Sequence, residues 1–228
     1  MNTPSSSVTP RPTTIRHLPL RHAVLEEIRD RITDGRYEQG VRLFEDQIAA
    51  ELGVSRNPVR EALQALESEG FVEIEPRRGA RVAIVTTERA SELFEVRGAL
   101  EGLMARLAAA RRSEEELAML RAIVAEGQHA VQAGDRSALP ELNTRFHESL
   151  GTVARNELLA HTIQQLSHVI QWVYAGSLAR RSNDSWAEHA AIVAAIAAGD
   201  ADAAELAAGA HVANARDAYF NWRTSSGD

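Results

Sequence analysis

Residues 47–63 read QIAAELGVSRNPVREAL, and this stretch decides the fold of the N-terminal part of the chain. Apolar residues at helical spacing lie on both sides of a short LGVS segment, in which Gly53 permits the left-handed backbone of a tight turn. Ser55 can cap the start of the second helix, and Pro58 is tolerated early in that helix because its missing amide hydrogen has no intrahelical partner there. Two short helices joined by such a turn are typical of a helix-turn-helix.

One further helix is predicted before this stretch and one hairpin after it. The apolar residues at helical spacing before it are Val24, Leu25, Ile28 and Ile32, and they end at Gly35. The residues at strand spacing after it are Val72, Ile74, Val82 and Ile84. A PRRG turn at 76–79 separates the two strands. The order helix, helix, helix, hairpin predicts a winged helix-turn-helix domain over residues 15–85, and the Ser/Thr/Pro-rich residues 1–14 predict a mobile tail.

The remainder of the chain carries only helical periodicity. We expect helices near 87–111, 113–133, 135–154, 156–178, 183–199 and 201–222, with breaks that place Ser, Asp or Asn where a helix begins. Six helices over residues 86–222 predict an antiparallel six-helix bundle, followed by a tail at 223–228. The predicted fold class is therefore mainly α, with an N-terminal winged helix-turn-helix domain and a C-terminal helical bundle.

Composition narrows the function classes. The 228 residues include no Cys, which excludes disulfides, thiolate metal sites, iron–sulfur clusters and cysteine nucleophiles. We find no apolar run long enough to span a membrane and no secretory signal, so a cytoplasmic protein without a membrane partner is expected. The formal net charge is −7, and all 25 basic residues are Arg. DNA binding must therefore depend on where the arginines lie.

Arginines lie where a winged helix-turn-helix would contact DNA. Arg56 and Arg60 are four residues apart, on one face of the predicted recognition helix. Arginine can bind guanine O6 and N7 or clamp a phosphate. The hairpin turn adds Arg77, Arg78 and Arg81, which suit a minor groove or the DNA backbone. The alternative is that these arginines form surface ion pairs on an ordinary small domain.

Three histidines and one asparagine form a second pattern. Asn143 and His147 lie four apart on one helix face, His189 follows Glu188 early in a helix, and His211 lies midway along the last helix. Three neutral imidazoles that converge in a bundle core suit Zn²⁺, Ni²⁺, Cu²⁺ or Fe²⁺ and leave positions for a ligand carboxylate. The alternative is that each histidine is an ordinary core or surface residue.

Residues 40–79 resemble the winged-helix domain of the GntR transcription regulators. The resemblance is carried by the GVRL motif at 40–43, the stretch quoted above, Glu69-Gly70 and the Arg78-Gly79 turn. It implies DNA contacts from Ser55, Arg56, Asn57, Pro58, Arg60, Arg78 and Gly79. Family members often place a basic residue where this chain has Glu45-Asp46, so that contact departs from the family pattern.

Residues 86–222 resemble the all-helical FCD effector domain of the FadR branch, and the six predicted helices resemble its VanR-type subgroup. The matching pieces include FEVR at 94–97, Phe146-His147, Glu188-His189 and His211. The resemblance implies a divalent metal, with Zn²⁺ or Ni²⁺ preferred, held by Asn143, His147, His189 and His211. Asn143 stands where the family commonly has Asp, and a neutral amide oxygen is a weaker ligand than a carboxylate. Arg97 and Arg145 are the candidates for binding an effector carboxylate. The alternative is an internal ion pair, such as Arg97 with Glu101.

The function expected from these observations is that of a bacterial transcription repressor. It would be a homodimer that binds double-stranded DNA at a palindromic operator and responds to a small organic acid bound near the metal. Two alternatives remain at this point. One is a metal-dependent hydrolase or lyase on a helical scaffold, in which an open three-His site activates water. The other is a regulator for which the metal itself is the signal.

Overall fold

The structure is a computed structural model that describes residues 18–75, 78–178 and 181–226. The chain divides into two compact units, one up to Ile84 and one from Val85 onward. The expected N-terminal tail, together with Pro76 and Arg77 of the wing turn, lies outside the described residues. None of the described helices is both long and apolar enough to cross a membrane.

The first unit contains three helices and a three-stranded sheet within its described residues. Its elements are α1 (Leu18–Thr33), β1 (Arg42–Leu43), α2 (Glu45–Leu52), α3 (Arg56–Glu69), β2 (Val72–Glu75) and β3 (Gly79–Val82). The strands are antiparallel in the order β1-β3-β2, with Leu43 opposite Ala80 and Val72 opposite Val82. The predicted helix-turn-helix and wing are confirmed, and β1 is an additional strand.

Glycine residues end helices α2 and α3 of this unit. Gly53 and Gly70 adopt φ values of 65° and 88° at the ends of α2 and α3, and their amides bond back to carbonyls of the last helical turn. Ser55 occupies the N-cap position of α3 with an extended backbone, but its side chain makes no capping hydrogen bond there, which corrects that expectation. The buried core joins all three helices and the sheet; its largest members are Ile28, Ile32, Leu63, Leu66 and Phe71.

The second unit consists of six helices within its described residues. They are α4 (Thr87–Arg111), α5 (Glu114–Ala133), α6 (Leu139–Val153), α7 (Glu157–Leu178), α8 (Ser182–Ala198) and α9 (Ala201–Ser226). The mainly helical fold class is confirmed, and α4 runs along α9 over much of its length. Ser113 begins α5 with a complete capping box, in which Glu116 returns the hydrogen bond.

Two predicted bounds in this unit are wrong. Helix α6 begins at Leu139 rather than at 135, because Asp135 accepts hydrogen bonds from the amide and hydroxyl of Ser137 and holds a turn there. Pro140 then lies in the first turn of α6, where proline is tolerated. Helix α9 continues to Ser226, so the residues expected to form a C-terminal tail from 223 are helical as far as that residue.

Candidate functional site

The α2–turn–α3 segment presents the predicted DNA contacts at the surface of the first unit. Ser55, Arg56, Asn57 and Arg60 are exposed at the start of α3, and Pro58 is half-buried. The opposite face of α3 holds Val59, Ala62, Leu63 and Leu66 in the core. Helix α3 is therefore anchored by its apolar face while its polar N-terminal end stays accessible, as a recognition helix requires.

Both arginines of α3 form ion pairs with the first two residues of α2. Arg60 donates from Nε to Oε1 of Glu45 (2.9 Å) and from Nη2 to Oε2 (2.7 Å). Arg56 places Nε 2.7 Å from Oδ1 of Asp46 and Nη2 3.4 Å from Oε2 of Glu45. The hydrogen bond from Arg60 is the main reason that the pKa of Glu45 is lowered. The surface ion pairs considered as an alternative are thus present, on the same face that would meet DNA.

The wing shows the same pairing of charges. Arg81 reaches Glu73 at 2.6 Å and Glu75 at 3.3 Å, and Arg78 reaches Glu75 at 3.3 Å. Arg78 and Gly79 are exposed at the start of β3, and Gly79 adopts a φ of 86° that favours glycine. Arg77, expected at the wing tip, lies outside the described residues.

Three histidines from three different helices meet in the core of the second unit. His147 comes from α6, His189 from α8 and His211 from α9, and one potential ligand atom of each lies within 4.8 Å of the others. The three residues are 9%, 0% and 2% exposed. Helical periodicity brings them inward because each continues a buried face, such as Ile192 and Ile196 after His189.

Two aromatic rings pack against His189 of this cluster. Phe146 stacks on His189 with ring centroids 4.1 Å apart, and Trp186 contacts the same imidazole edge-on at 4.9 Å. Gly127 of α5 makes room for Trp186, because a Cβ at that position would lie 2.3 Å from the indole ring. The position of His189 is therefore fixed by close packing on two sides.

The ring nitrogens of His147 and His189 lack hydrogen-bond partners. Both nitrogens of both rings are buried, and no described residue donates to or accepts from them. Burial lowers the pKa of His147 to about 4 and that of His189 well below its ordinary value, so both imidazoles are neutral near pH 7. Buried polar atoms without partners are uncommon in folded proteins and each requires an explanation.

His211 differs from the other two because one of its nitrogens is engaged. Its Nδ1 lies 2.8 Å from Oε2 of Glu188. Arg181 also donates to Oε2 of this carboxylate, and Asn214 donates to its Oε1. Burial raises the pKa of Glu188, but the hydrogen bonds from His211 and Arg181 outweigh it and hold the value at about 2. An ionised carboxylate only accepts, so Nδ1 of His211 donates the hydrogen bond to Glu188.

A buried ion pair borders the cluster. Arg97 donates from Nε to Oε1 of Glu101 at 2.6 Å, and its Nη2 lies 3.5 Å from Nε2 of His211. The second oxygen, Oε2 of Glu101, is buried without a hydrogen bond from any described residue and lies 3.6 Å from Nδ1 of His147. Burial raises the pKa of Glu101, but the charge and hydrogen bond of Arg97 together with the neighbouring histidines outweigh it and hold the value at about 2. A cation and an anion thus lie side by side against the histidines.

The structure brings together most of the predicted residues of this site but not all. Asn143 lies one turn before His147 on α6 and is half-buried, and Arg97 lies beside His211. Arg145 is not brought to the cluster: it lies on the exposed face of α6 and pairs with Glu126 of α5. The sequence-based prediction missed Glu188 as a partner of His211 and Glu101 as a neighbour of His147. The local signals are the adjacency of Glu188 to His189 and the four-residue spacing of Glu101 from Arg97.

The residues of the cluster fit a divalent ion. Neutral imidazoles are the ligands that Zn²⁺ and Ni²⁺ accept, and four of their nitrogens have no other described partner. The Glu188 carboxylate on His211 resembles the support that metal-binding histidines usually have from a neighbouring acid. Three charged side chains of the described residues lie next to these ring nitrogens: Glu188 and Arg97 beside His211, and Glu101 beside His147.

Comparisons with known families match both units. Residues 20–82 match the family described as bacterial regulatory proteins, gntR family, and residues 92–214 match the FCD domain.

Individual relatives are regulators as well. The chain is 35% identical over 203 residues to the probable D-xylose utilization operon transcriptional repressor of Paenarthrobacter nicotinovorans, which covers 85% of this chain and 87% of that protein. It is 30% identical over 147 residues to the HTH-type transcriptional regulator YdhC of Bacillus subtilis, over 64% of this chain and 66% of that protein. The fold is similar to the solved structure of E. coli McbR/YncC, with a TM-score of 0.71 at 22% identity. The match covers 89% of this chain and 98% of the McbR/YncC chain. The matched families and relatives are transcription regulators and not enzymes, so the hydrolase or lyase interpretation is dropped.

Proposed function

The chain belongs to the GntR family of bacterial transcription regulators and carries an FCD domain, and from this premise we propose that it is a metabolite-responsive repressor. It acts as a homodimer in the cytoplasm and binds a palindromic operator with one recognition helix per subunit. Exposure of the polar end of α3 and of the wing supports this proposal. The contacts come from Ser55, Arg56, Asn57, Pro58, Arg60, Arg78 and Gly79.

The helical unit holds one divalent ion, Zn²⁺ or Ni²⁺, at the histidine cluster. His147, His189 and His211 donate ring nitrogens, and Asn143 adds a neutral oxygen from one turn earlier on α6. The observation that carries this proposal is the set of four buried ring nitrogens that no described residue satisfies. The bound ion supplies a Lewis-acidic centre for an anionic ligand.

A small organic acid is the proposed effector. Arg97 lies beside the cluster, and a guanidinium binds a carboxylate in a two-pronged geometry. We assign the effector contact to Arg97 rather than to Arg145, because Arg97 is buried beside His211 whereas Arg145 lies on the exposed face of α6. The effector changes operator affinity only as far as it binds the DNA-competent and DNA-incompetent arrangements of the dimer unequally.

Metal content per protomer tests this function most directly. Protein purified without a His-tag and without chelator should carry about one divalent ion per chain by elemental analysis. His147→Ala should lose it, whereas His129→Ala, on the exposed face of α5, should keep it. Equal metal content in the two variants, or none in the wild type, would contradict the metal site.

The metal-sensor alternative shares the same cluster, and a second measurement separates the two. The DNA duplex that the wild type enriches from a random-sequence library serves as the probe. Its affinity is compared for metal-free protein, metal-loaded protein and metal-loaded protein with a panel of organic acids. A change on adding the acid supports an effector, and a change on adding metal alone supports a sensor.

A further inference from the structure

The two acids that begin α2 are the feature of the DNA-binding unit that the proposed function leaves unexplained. Glu45 and Asp46 begin α2 and add negative charge to a surface that would meet phosphates. Both acids contact arginines of the recognition helix rather than solvent alone. Their roles can be separated by geometry and burial.

Glu45 holds Arg60 in one orientation. The carboxylate of Glu45 is 25% exposed and binds the side edge of the guanidinium through two parallel hydrogen bonds, to Nε and to Nη2. Such a two-pronged pair fixes both the direction and the plane of the guanidinium. The Arg60 side chain is itself 52% exposed, so the fixed group remains accessible.

The ion pair with Glu45 does not occupy the edge of the Arg60 guanidinium that can bind a base. A guanidinium has five N–H donors, and Glu45 uses the one on Nε and one on Nη2. Of the three donors that remain, one on Nη1 and one on Nη2 form the end-on fork that matches O6 and N7 of guanine. Among the described residues, none accepts a hydrogen bond from Nη1 of Arg60. An arginine fixed in this way loses little further side-chain entropy when it meets a base.

Asp46 holds Arg56 less firmly. Its side chain is 71% exposed and makes one close contact, at 2.7 Å to Nε of Arg56. Exposed pairs of this kind are weak and are screened by salt. A DNA phosphate can therefore replace Asp46, but it must compete with a carboxylate for the same guanidinium.

We propose that Glu45 is a positioning residue that presents Arg60 to a base edge, and that Asp46 weakens phosphate binding by Arg56 and so lowers sequence-independent affinity. Together, Glu45 and Asp46 raise the ratio of specific to non-specific DNA binding. Glu45 keeps Arg60 available for a base, and Asp46 weakens the contact of Arg56 with phosphate. This inference rests on the proposed DNA-binding function.

Selection from a random-sequence duplex library tests it with three proteins: wild type, Glu45→Gln and Asp46→Asn. Glutamine keeps the size of Glu45 but replaces one acceptor oxygen by a donor, so it cannot receive both Arg60 hydrogen bonds. We expect Glu45→Gln to lose discrimination at one base pair per half-site by about tenfold or more, while the other positions stay as selected. Glu45→Asp serves as the conservative variant and should retain part of that preference. Circular dichroism of each variant checks that the fold is intact.

Asp46→Asn should give a different result. We expect it to select the same sequence as the wild type but to bind scrambled duplex more tightly. The slope of log K against log salt should become steeper by about 0.9, as for one added phosphate contact. Binding is measured by fluorescence anisotropy between 50 and 300 mM salt.

The outcomes separate this inference from the function on which it rests. If the wild type enriches a palindrome and Glu45→Gln enriches it with equal discrimination at every position, the positioning role is wrong while DNA binding stands. If Asp46→Asn leaves both the slope and the scrambled-duplex affinity unchanged, the competition with phosphate is wrong. If the wild type enriches no sequence, the operator-binding function is wrong and this inference fails with it.

Discussion

Two arginine–glutamate pairs in this protein have nearly the same contact distance and very different surroundings. Arg60 and Glu45 approach to 2.7 Å at the surface of the first unit, and Arg97 and Glu101 approach to 2.6 Å in the core of the second. Their side chains are 52% and 25% exposed in the first pair, and 6% and 4% in the second. Distance therefore says little about what each pair contributes, because solvent screens one pair and is excluded from the other.

The difference also separates two kinds of functional residue. At the surface, the arginine can exchange its carboxylate for a DNA group at low cost because water compensates each partner. In the core, both charges and the adjacent histidines depend on each other, since any group left without a partner there is expensive. A DNA-binding surface can therefore contain weak ion pairs. A buried ligand site requires that its charges are balanced before the ligand binds.

The largest expected effect is that of breaking the buried pair. Arg97→Met leaves the Glu101 carboxylate buried without its cation, so we expect the second unit to lose about 3–5 kcal/mol of stability. All three tryptophans, Trp172, Trp186 and Trp222, lie in this unit. Urea unfolding followed by tryptophan fluorescence therefore measures it selectively.

A double variant controls for the loss of packing. Arg97→Met combined with Glu101→Met removes both charges and should recover most of the stability, because two apolar side chains no longer leave a buried ion. A loss below about 1 kcal/mol in the single variant would mean that the pair behaves like the surface pair.

Removal of the proposed metal should have the next largest effect. If the cluster binds an ion at a free concentration about 1,000 times its Kd, binding stabilises the folded state by about 4 kcal/mol. For a unit of this size, chelation should then lower the melting temperature by on the order of 10 °C. Differential scanning calorimetry with and without chelator measures the shift. His189→Ala should show no shift, and the exposed control His129→Ala should show the full one.

Packing against His189 should be the next most sensitive feature. Gly127→Ala places a Cβ 2.3 Å from the Trp186 ring, so this ring, which contacts the imidazole of His189, must move. We expect a loss of about 1–3 kcal/mol in urea unfolding and a shift in tryptophan emission. Gly209→Ala is the matched control, because its Cβ would meet no described atom within 4 Å. In the interior of α9 that alanine should stabilise the helix by about 0.5–1 kcal/mol. Equal losses in both variants would argue against close packing at Gly127.

The parts of the fold that local patterns determine could be predicted from the sequence. Helix positions follow from apolar spacing and from stops such as Gly53 and Gly70, and α4 begins and ends as expected. Strand β1 was missed because two residues carry no periodicity and their pairing with β3 is a long-range contact. The start of α6 was missed because the turn at Asp135 depends on side-chain hydrogen bonds that compete with the helix.

The candidate sites divide in the same way. His147, His189 and His211 could be identified because each lies on an inward helix face. Their neighbours Glu101 and Glu188 depend on how the helices pack, which one sequence does not encode locally. Arg145 is two residues from His147, so helical geometry places it on a different face of α6, where it pairs with Glu126.

The smallest expected effect on stability belongs to the surface pair. Glu45→Gln removes a carboxylate from a guanidinium that water can solvate, so we expect the melting temperature of the first unit to stay within about 2 °C of the wild type. Circular dichroism is the suitable probe, because this unit contains no tryptophan. Any remaining difference in melting temperature between Glu45→Gln and the wild type should disappear in 1 M salt, because the Debye length is then about 3 Å and the ion pair is screened. A drop of 10 °C would mean that the pair also holds α2 against α3. The contrast between the two pairs would then be wrong, because the Arg60–Glu45 pair would contribute as much to stability as the Arg97–Glu101 pair.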